Sequence, residues 1–207
     1  HHAIAVFNNN YDRVNVYTDS ISEKKYETAS FQALTFFNTD QVLFAKPLCD
    51  RDGLILHSNG FSIDGKGILL AGESGAGKST LSNILIKKGL DGLCDDRMFI
   101  TQKDSSFWIH GNWCHGTVST VSNISAPLKA IFFLEQSKDN CSEPIDNNKI
   151  KVHKLMQSMV KPFLTTQEWK KTFSTMEELV KKVDCYILKF DLSGDIFDVI
   201  TNILAKH

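Results

Sequence analysis

A segment in the first half of the chain constrains its fold more than any other. Residues 67–71 (Gly-Ile-Leu-Leu-Ala) form a short apolar run, which predicts a strand buried on both faces. Residues 72–80 (Gly-Glu-Ser-Gly-Ala-Gly-Lys-Ser-Thr) follow and fit the pattern Gly-x-x-x-x-Gly-Lys-Ser/Thr. Apolar residues then recur at helical spacing from Leu81 to Leu85, and Gly89 stands where a helix commonly stops. The sequence therefore predicts a strand, a glycine-rich turn and a helix in that order.

This arrangement predicts an anion site. Backbone N–H groups of the turn point inward, and the positive end of the helix dipole faces the same spot. Lys78 has the length to reach the outer phosphates of a nucleotide, and Ser79 offers a hydroxyl to a magnesium ion. The residues predicted to bind nucleotide are Gly72, Ser74, Gly75, Ala76, Gly77, Lys78, Ser79 and Thr80.

Composition excludes several classes of function. The 207 residues suffice for one sizeable core, and Lys plus Arg (23) nearly balance Asp plus Glu (24). Without a basic excess or a polybasic run, neither nucleic acid nor a membrane surface is an expected partner. The five cysteines are scattered and lack a Cys-x-x-Cys pair, which argues against structural zinc or a disulfide framework and favours a reducing cytoplasm.

Pattern and turn signals predict the remaining elements. Residues 3–48 look strand-like, with 31–37 open to either strand or helix. A strand over 53–57 is expected to end in a turn at 58–60, and Asp64-Gly65 predicts a hairpin between 61–63 and 67–71. A second hairpin (98–110) and strands over 128–134 and 185–190 follow.

Three later segments predict helices. One is an amphipathic helix over 150–160 that buries Ile150, and another covers about 195–205. Between them, Ser174 and Glu177 form a capping-box signature that predicts the start of a helix.

The acidic pair Asp95-Asp96 is the strongest candidate for chemistry outside the turn. It lies shortly after the first helix, where an aspartate often completes the magnesium site of a phosphate-binding loop. One carboxylate can hold the metal while the other accepts a proton from an attacking hydroxyl. A solvated acidic turn is the alternative. His57, on the strand that enters the hairpin, is either a proton carrier at the phosphates or a structural donor.

Residues 111–117 form a glycine-bracketed, aromatic segment that is either a structural turn or a loop touching ligand through Trp113 or His115. Arg97 either balances the acidic pair or touches phosphate, and Cys94 is expected to be a small buried residue.

Over about residues 53–100 the chain resembles the catalytic domain of bacterial HPr kinase/phosphorylase. The matching features are His57, the loop from Gly72 to Ser79, the Lys88-Gly89 turn and Asp95-Asp96, at the family's spacings. The resemblance implies an α/β fold with a mixed-sheet, P-loop-containing core of the HPr kinase/phosphoenolpyruvate carboxykinase type. It implies a single domain over 1–207, with a strand-rich N-terminal part (1–52) and a nucleotide-binding core (53–207) that becomes helical toward the C-terminus.

The resemblance also implies ATP- and Mg²⁺-dependent phosphorylation of a serine or other hydroxyl on a protein, peptide or small molecule. By this analogy Asp95 is the base, Asp96 and Ser79 hold the metal, and His57 and Lys78 act at the transferred phosphate. The chain looks like the HPr-kinase-related proteins, some of which resemble kinases that act on peptide natural products such as lasso peptides. Relatives of this kind assemble through their catalytic domains, which makes a homo-oligomer possible.

The family's Glu-Ile-Arg-Gly-Leu-Gly signature has no counterpart in this chain. Its absence keeps open a nucleotide-binding regulatory module without transfer activity. A hydrolase or transport ATPase is a third hypothesis, for which the sequence offers neither a glutamate placed to activate water nor a transporter signature.

Overall fold

The computed structural model describes residues 3–10, 12–20, 24, 40–114, 116–118, 120–160 and 165–206. They form ten strands and five helices. The strands are β1 Ala3–Phe7, β2 Val14–Thr18, β3 Leu54–Ile63, β4 Lys66–Ala71, β5 Asp91–Cys94, β6 Arg97–Lys103, β7 Ser106–His110, β8 Ser125–Gln136, β9 Cys141–Pro144 and β10 Asp184–Phe190. The helices are α1 Asp40–Asp50, α2 Lys78–Lys87, α3 Asn148–Ser158, α4 Thr166–Lys182 and α5 Ile196–Leu204.

Eight of the strands form one large mixed sheet, and β1 and β2 form a separate antiparallel pair. Strand β8 pairs in parallel with β4 on one side and β10 on the other, so the carboxyl ends of these three strands meet at one edge. Strands β3, β6, β7 and β8 pair in that order, and β4 pairs with both β8 and β3, which closes these five strands into a ring. Ligands of such sheets commonly bind at the carboxyl ends of parallel strands.

The central strands are buried on both faces. Along β4, Ile68 packs into the core formed with α2 and α5, whereas Leu69 packs into the core formed with α3 and α4. Phe132 and Ile131 of β8 divide in the same way. Side chains alternate between the faces of a strand, so an unbroken apolar run suits a strand covered on both sides. The predicted burial of residues 67–71 is confirmed.

Both predicted hairpins are present. Asp64 and Gly65 have φ angles of 50° and 75° between β3 and β4, and Asp104 and Ser105 have φ angles of 49° and 65° between β6 and β7. Two positive φ angles in succession match the right-handed twist of the flanking strands. Helix α2 ends just before Gly89, which has a φ of 91°, as the stop signal predicts.

The predicted strand-like pattern is wrong at residues 40–50, which form α1 and bury Ala45, Leu48 and Cys49 at helical spacing. A short apolar run is compatible with either element, and here the contact with β3 and α4 decides. Residues 31–37 lie outside the described part of the chain. The description of the C-terminal part as helical is also incomplete, because β5 to β10 all follow α2.

Two further predictions need correction. Residues 58–60 are not a turn, because β3 runs unbroken through them with partners on both sides. Helix α3 does form, but Ile150 is 48% exposed rather than part of its buried face. No helix within the described residues combines the length and apolar character that a membrane crossing requires.

The capping box is formed by Thr165 and Glu168 rather than by the predicted pair Ser174 and Glu177. Thr165 accepts the backbone N–H of Glu168, and the Glu168 carboxylate accepts the backbone N–H of Thr165 at 2.7 Å. Ser174 and Glu177, which carry the same sequence signature, lie inside α4. A signature of two residues three positions apart cannot by itself distinguish a helix start from a helix interior.

We expect Thr165→Ala to lower the free energy of unfolding by about 1 kcal/mol, because it removes a capping side chain. Ser174→Ala is the matched control. Ser174 is exposed within the helix, where alanine is the better helix former, so this change should leave stability equal or slightly raised. Chemical denaturation of both variants measures the difference, and equal losses would contradict the assigned helix start.

The same cap predicts a pH dependence. The N–H of Thr165 lowers the pKa of Glu168 below its ordinary value of 4.5. A lowered folded-state pKa means that the stabilisation is present above about pH 4.5 and is lost as the pH falls through the folded value. Thr165→Ala keeps this N–H but loses the hydrogen bond from the Thr165 hydroxyl to Oε2 of Glu168 at 2.8 Å, which lowers the pKa in the same direction. The stability gap between wild type and Thr165→Ala should therefore narrow in acid by the contribution of that hydroxyl bond.

Candidate functional site

Residues 72–77 form a tight loop between the carboxyl end of β4 and the start of α2. Gly77 is the N-cap of α2 with a φ of 97°, and Gly75 has a φ of 83°, both in the region that favours glycine. Because Gly77 has no side chain, no capping side chain bonds the N–H groups of the first turn of α2. Such a turn can accept an anion.

Lys78 lies under this loop and is largely buried. Its Nζ donates to the carbonyl oxygens of Gly72 at 2.8 Å and Glu73 at 3.2 Å. Burial lowers the pKa of Lys78, and the carboxylates of Asp96 and Asp95 oppose that shift. An ammonium group in this position can attract phosphate oxygens without leaving the loop.

A cleft of about 390 Å³ opens over the loop and brings most of the predicted site residues together. Its lining comprises His57, Ser74, Gly75, Gly77, Lys78, Ser79, Thr80, Asp95, Asp96, Gly116, Thr117 and Gln136. Gly72 and Ala76, the other two residues predicted to bind nucleotide, line a second pocket on the far side of the loop. All four side chains predicted to act in catalysis therefore line one cleft.

Asp95 is held firmly at the base of the cleft and is only 5% exposed. Its Oδ1 accepts from Nδ2 of Asn59 at 2.5 Å, and its Oδ2 accepts from the backbone N–H of Val118 at 2.7 Å. Burial raises the pKa of Asp95, and the N–H of Val118 only partly offsets it. A carboxylate with a raised pKa is better suited to accept a proton.

Asp96 has the opposite electrostatic environment. Its Oδ1 lies 3.0 Å from Nδ1 of His57, and its Oδ2 lies 3.2 Å from Nε of Arg97. The hydrogen bond from His57 lowers the pKa of Asp96, and the charge of Arg97 acts in the same direction. Asp96 is thereby kept ionised, and Arg97 has the charge-balancing position that the sequence left open.

The orientation of His57 follows from its contacts. Its Nδ1 also lies 3.1 Å from the carbonyl oxygen of Asp96. Both neighbours of Nδ1 are acceptors, so Nδ1 carries a proton and Nε2 is the nitrogen left for other partners. The histidine thus combines a structural bond with a position on the cleft wall.

Ser79 and Asp96 are the predicted metal ligands, and both line the cleft. Within the described residues, no three His, Cys, Asp or Glu side chains are grouped as a metal centre would need. A hydroxyl and one carboxylate nevertheless fit Mg²⁺, which binds through few protein ligands and keeps water and phosphate oxygens in its shell. Each oxygen of Asp96 also has a second lone pair beyond its bond to His57 or Arg97.

The segment after β7 contributes to the cleft through backbone and small residues rather than through its aromatic side chain. Trp113 packs against Phe44 and Phe99, with ring centroids 5.0 and 5.7 Å away, which favours the structural alternative for Trp113. Gly116 and Thr117 line the cleft beside Asp95. His115 lies outside the described residues.

Two residues at the site escaped the sequence-based prediction. Asn59 is buried in β3 and bonds both Asp95 and Ser82 of α2, which ties the acidic residue to the helix after the loop. Gln136, at the end of β8, donates its Nε2 to the carbonyl oxygen of Gly75 at 3.0 Å. No local signal pointed to Asn59, because Ser58-Asn59-Gly60 is typical of a turn.

Comparison with solved structures finds the Hpr(Ser) kinase/phosphatase from Coxiella burnetii, with 19% identity and a TM-score of 0.43. The match covers 73% of this chain and 97% of that chain and is a distant likeness. No curated protein matches the chain. The model of a family described as SynChlorMet cassette protein ScmC matches residues 25–205. The chain therefore belongs to the ScmC family.

Proposed function

We propose that the protein is a Mg²⁺-dependent kinase that transfers the γ-phosphoryl group of ATP to a hydroxyl group on a protein, peptide or small molecule. The observation that carries the proposal is the single cleft in which the loop after β4 faces two adjacent aspartates. Their pKa values are shifted in opposite directions, raised for Asp95 and lowered for Asp96. Two carboxylates with divergent pKa values suit an acid–base role and an ionic role respectively.

Each part of the cleft has a task in this proposal. The N–H groups of the loop and Lys78 hold the phosphates and stabilise charge on the transferred group. Ser79 and Asp96 would hold Mg²⁺, which neutralises phosphate charge when bound. Asp95 accepts the proton of the acceptor hydroxyl. The hydroxyl oxygen forms a bond to the γ-phosphorus as the bond between that phosphorus and the ADP oxygen breaks. His57 contacts the transferred group through Nε2.

The test is incubation of the purified protein with γ-labelled ATP, Mg²⁺ and host lysate, beside Lys78→Ala. A labelled band or small molecule that depends on Lys78 is the expected result, and it identifies the acceptor in the same experiment. No transfer, together with measurable ATP binding, would contradict the kinase. That outcome would support the nucleotide-binding regulatory module instead.

A further inference from the structure

A second hollow of about 350 Å³, here called the side pocket, adjoins the cleft on the side of β10. It shares Gly77, Thr80 and Gln136 with the cleft, so the two spaces adjoin at the first turn of α2. Its other walls come from the ends of β8 and β10 and from the turn after β10, through Ser137, Phe190, Asp191 and Leu192. Its size is within the range of small-molecule pockets, about 300–1,000 Å³.

The arrangement of the cleft predicts the orientation in which a nucleotide would bind. His57, Asp95 and Asp96 line the cleft but not the side pocket, so the outer phosphate belongs at their end. In a loop of this sequence the backbone N–H groups hold the inner phosphates, and the lysine reaches the outer ones. The nucleoside attached to the innermost phosphate must then leave the cleft away from the aspartates, and the side pocket opens there.

The side pocket has an apolar wall that is already in place. Leu192 is 73% exposed and lines this wall together with Phe190. The turn that carries Leu192 is fixed, because Oδ1 of Asp191 accepts from the backbone N–H and Oγ of Ser193 and from Nδ2 of Asn140. A single exposed leucine is ordinary, but one held over a pocket can cover a flat ring.

The polar groups of the side pocket suit a nucleobase. The carboxylate of Asp191 accepts hydrogen bonds only, and the amide of Gln136 and hydroxyl of Ser137 can also accept them. Adenine, guanine and cytosine all carry amino groups that donate. We propose that the side pocket receives the ribose and amino-bearing base of the nucleoside triphosphate, with Leu192 covering the base and Asp191 and Gln136 accepting its N–H groups.

The pocket on the other side of the loop suits a nucleoside less well. It meets the cleft at Ser74 and Gly75, the tip of the loop, rather than at α2. Charged and polar side chains dominate its outer wall, among them Glu73, Lys154 and Gln157. Gln157 therefore provides a control position near the loop but outside the side pocket.

The inference rests on the proposed nucleotide site, so the test separates the two. Calorimetric titration with ATP, GTP and inorganic tripolyphosphate, each with Mg²⁺, compares wild type with Leu192→Asn and Gln157→Ala. Leu192→Asn is neutral, similar in size and on the surface, so folding should be unaffected. We expect Leu192→Asn to weaken binding of the preferred nucleotide about tenfold and to leave tripolyphosphate binding unchanged, because it removes an apolar contact with the base alone. Gln157→Ala should change neither nucleotide binding nor tripolyphosphate binding.

Some outcomes would overturn only the assignment of the side pocket, and another would overturn the proposed function as well. If wild type binds tripolyphosphate as tightly as the nucleotides, or if Gln157→Ala rather than Leu192→Asn weakens nucleotide binding, the side pocket is not the base site and the phosphate site stands. If wild type binds none of the three compounds, the proposed function fails as well. The comparison of ATP with GTP identifies which base is preferred.

Discussion

Asp95→Asn is expected to slow phosphoryl transfer by about 10²- to 10⁴-fold, the usual contribution of a positioned general base. Nucleotide affinity should change little, because in the proposed function the phosphates contact the loop and Lys78 rather than Asp95. Single-turnover transfer with labelled ATP measures the first quantity, and calorimetry measures the second. A transfer rate within about threefold of wild type would contradict the assignment of the base.

The contacts of Asp95 require a stability control. An asparagine side chain at this position has one acceptor oxygen for two donors, Nδ2 of Asn59 and the N–H of Val118. A buried donor left without a partner costs about 1–3 kcal/mol, so the variant should unfold more readily. Asp91→Asn, at an exposed site at the start of β5, is the matched control and should retain both stability and activity.

The pH dependence of the transfer rate is an independent test of Asp95 as the base. A base must be ionised to accept a proton, so transfer falls as the pH drops through its pKa. Burial raises the pKa of Asp95 above its ordinary value of 3.8, so the fall should begin at a higher pH than for an exposed aspartate. Asp95→Asn should lack this limb in its residual rate.

Gly77→Ala is expected to abolish nucleotide binding. Gly77 has a φ of 97°, and an added Cβ would lie 2.8 Å from Cζ of Phe190, so both the backbone and the packing must shift. A non-glycine residue with a left-handed backbone alone costs about 1–2 kcal/mol. The displacement falls on the first turn of α2, where the phosphates are expected to bind.

Gly65→Ala is the control that separates the effect of backbone strain from the effect on the phosphate-binding loop. Gly65 has a φ of 75° in the turn at the other end of β4, and an added Cβ there would have no neighbour within 4 Å. This variant should lose about 1 kcal/mol of stability and bind nucleotide normally. Thermal unfolding and nucleotide titration of both variants make the comparison, and normal binding by Gly77→Ala would mean that the loop does not hold phosphate.

Short sequence patterns were enough to predict several turns and helix ends. The Asp64-Gly65 turn and the stop at Gly89 depend on the backbone preferences of one or two residues, so they follow directly from sequence. The helix start at Thr165 was missed because Ser174 and Glu177 carry the same signature inside the helix. Which of two equivalent signals begins the helix depends on packing beyond the segment.

The residues that line the cleft were named in advance where a motif or the family resemblance points to them, and were missed where only the sheet brings them together. Ser58-Asn59-Gly60 is a local turn signal, yet pairing with β4 and β5 holds these residues in a strand and places Asn59 against Asp95. Gln136 reaches the loop because β8 lies parallel to β4 and extends beyond it. Such contacts depend on strand order, which no short motif encodes.

Calorimetric titration of the purified protein with Mg²⁺-ATP, beside Lys78→Ala, tests the central claim most directly. We expect one nucleotide per wild-type chain, and binding at least about tenfold weaker when the charged hydrogen-bonding group of Lys78 is removed. Equal affinity of the two proteins, or no binding by wild type to any nucleoside triphosphate, would contradict the assignment of the loop as the nucleotide site.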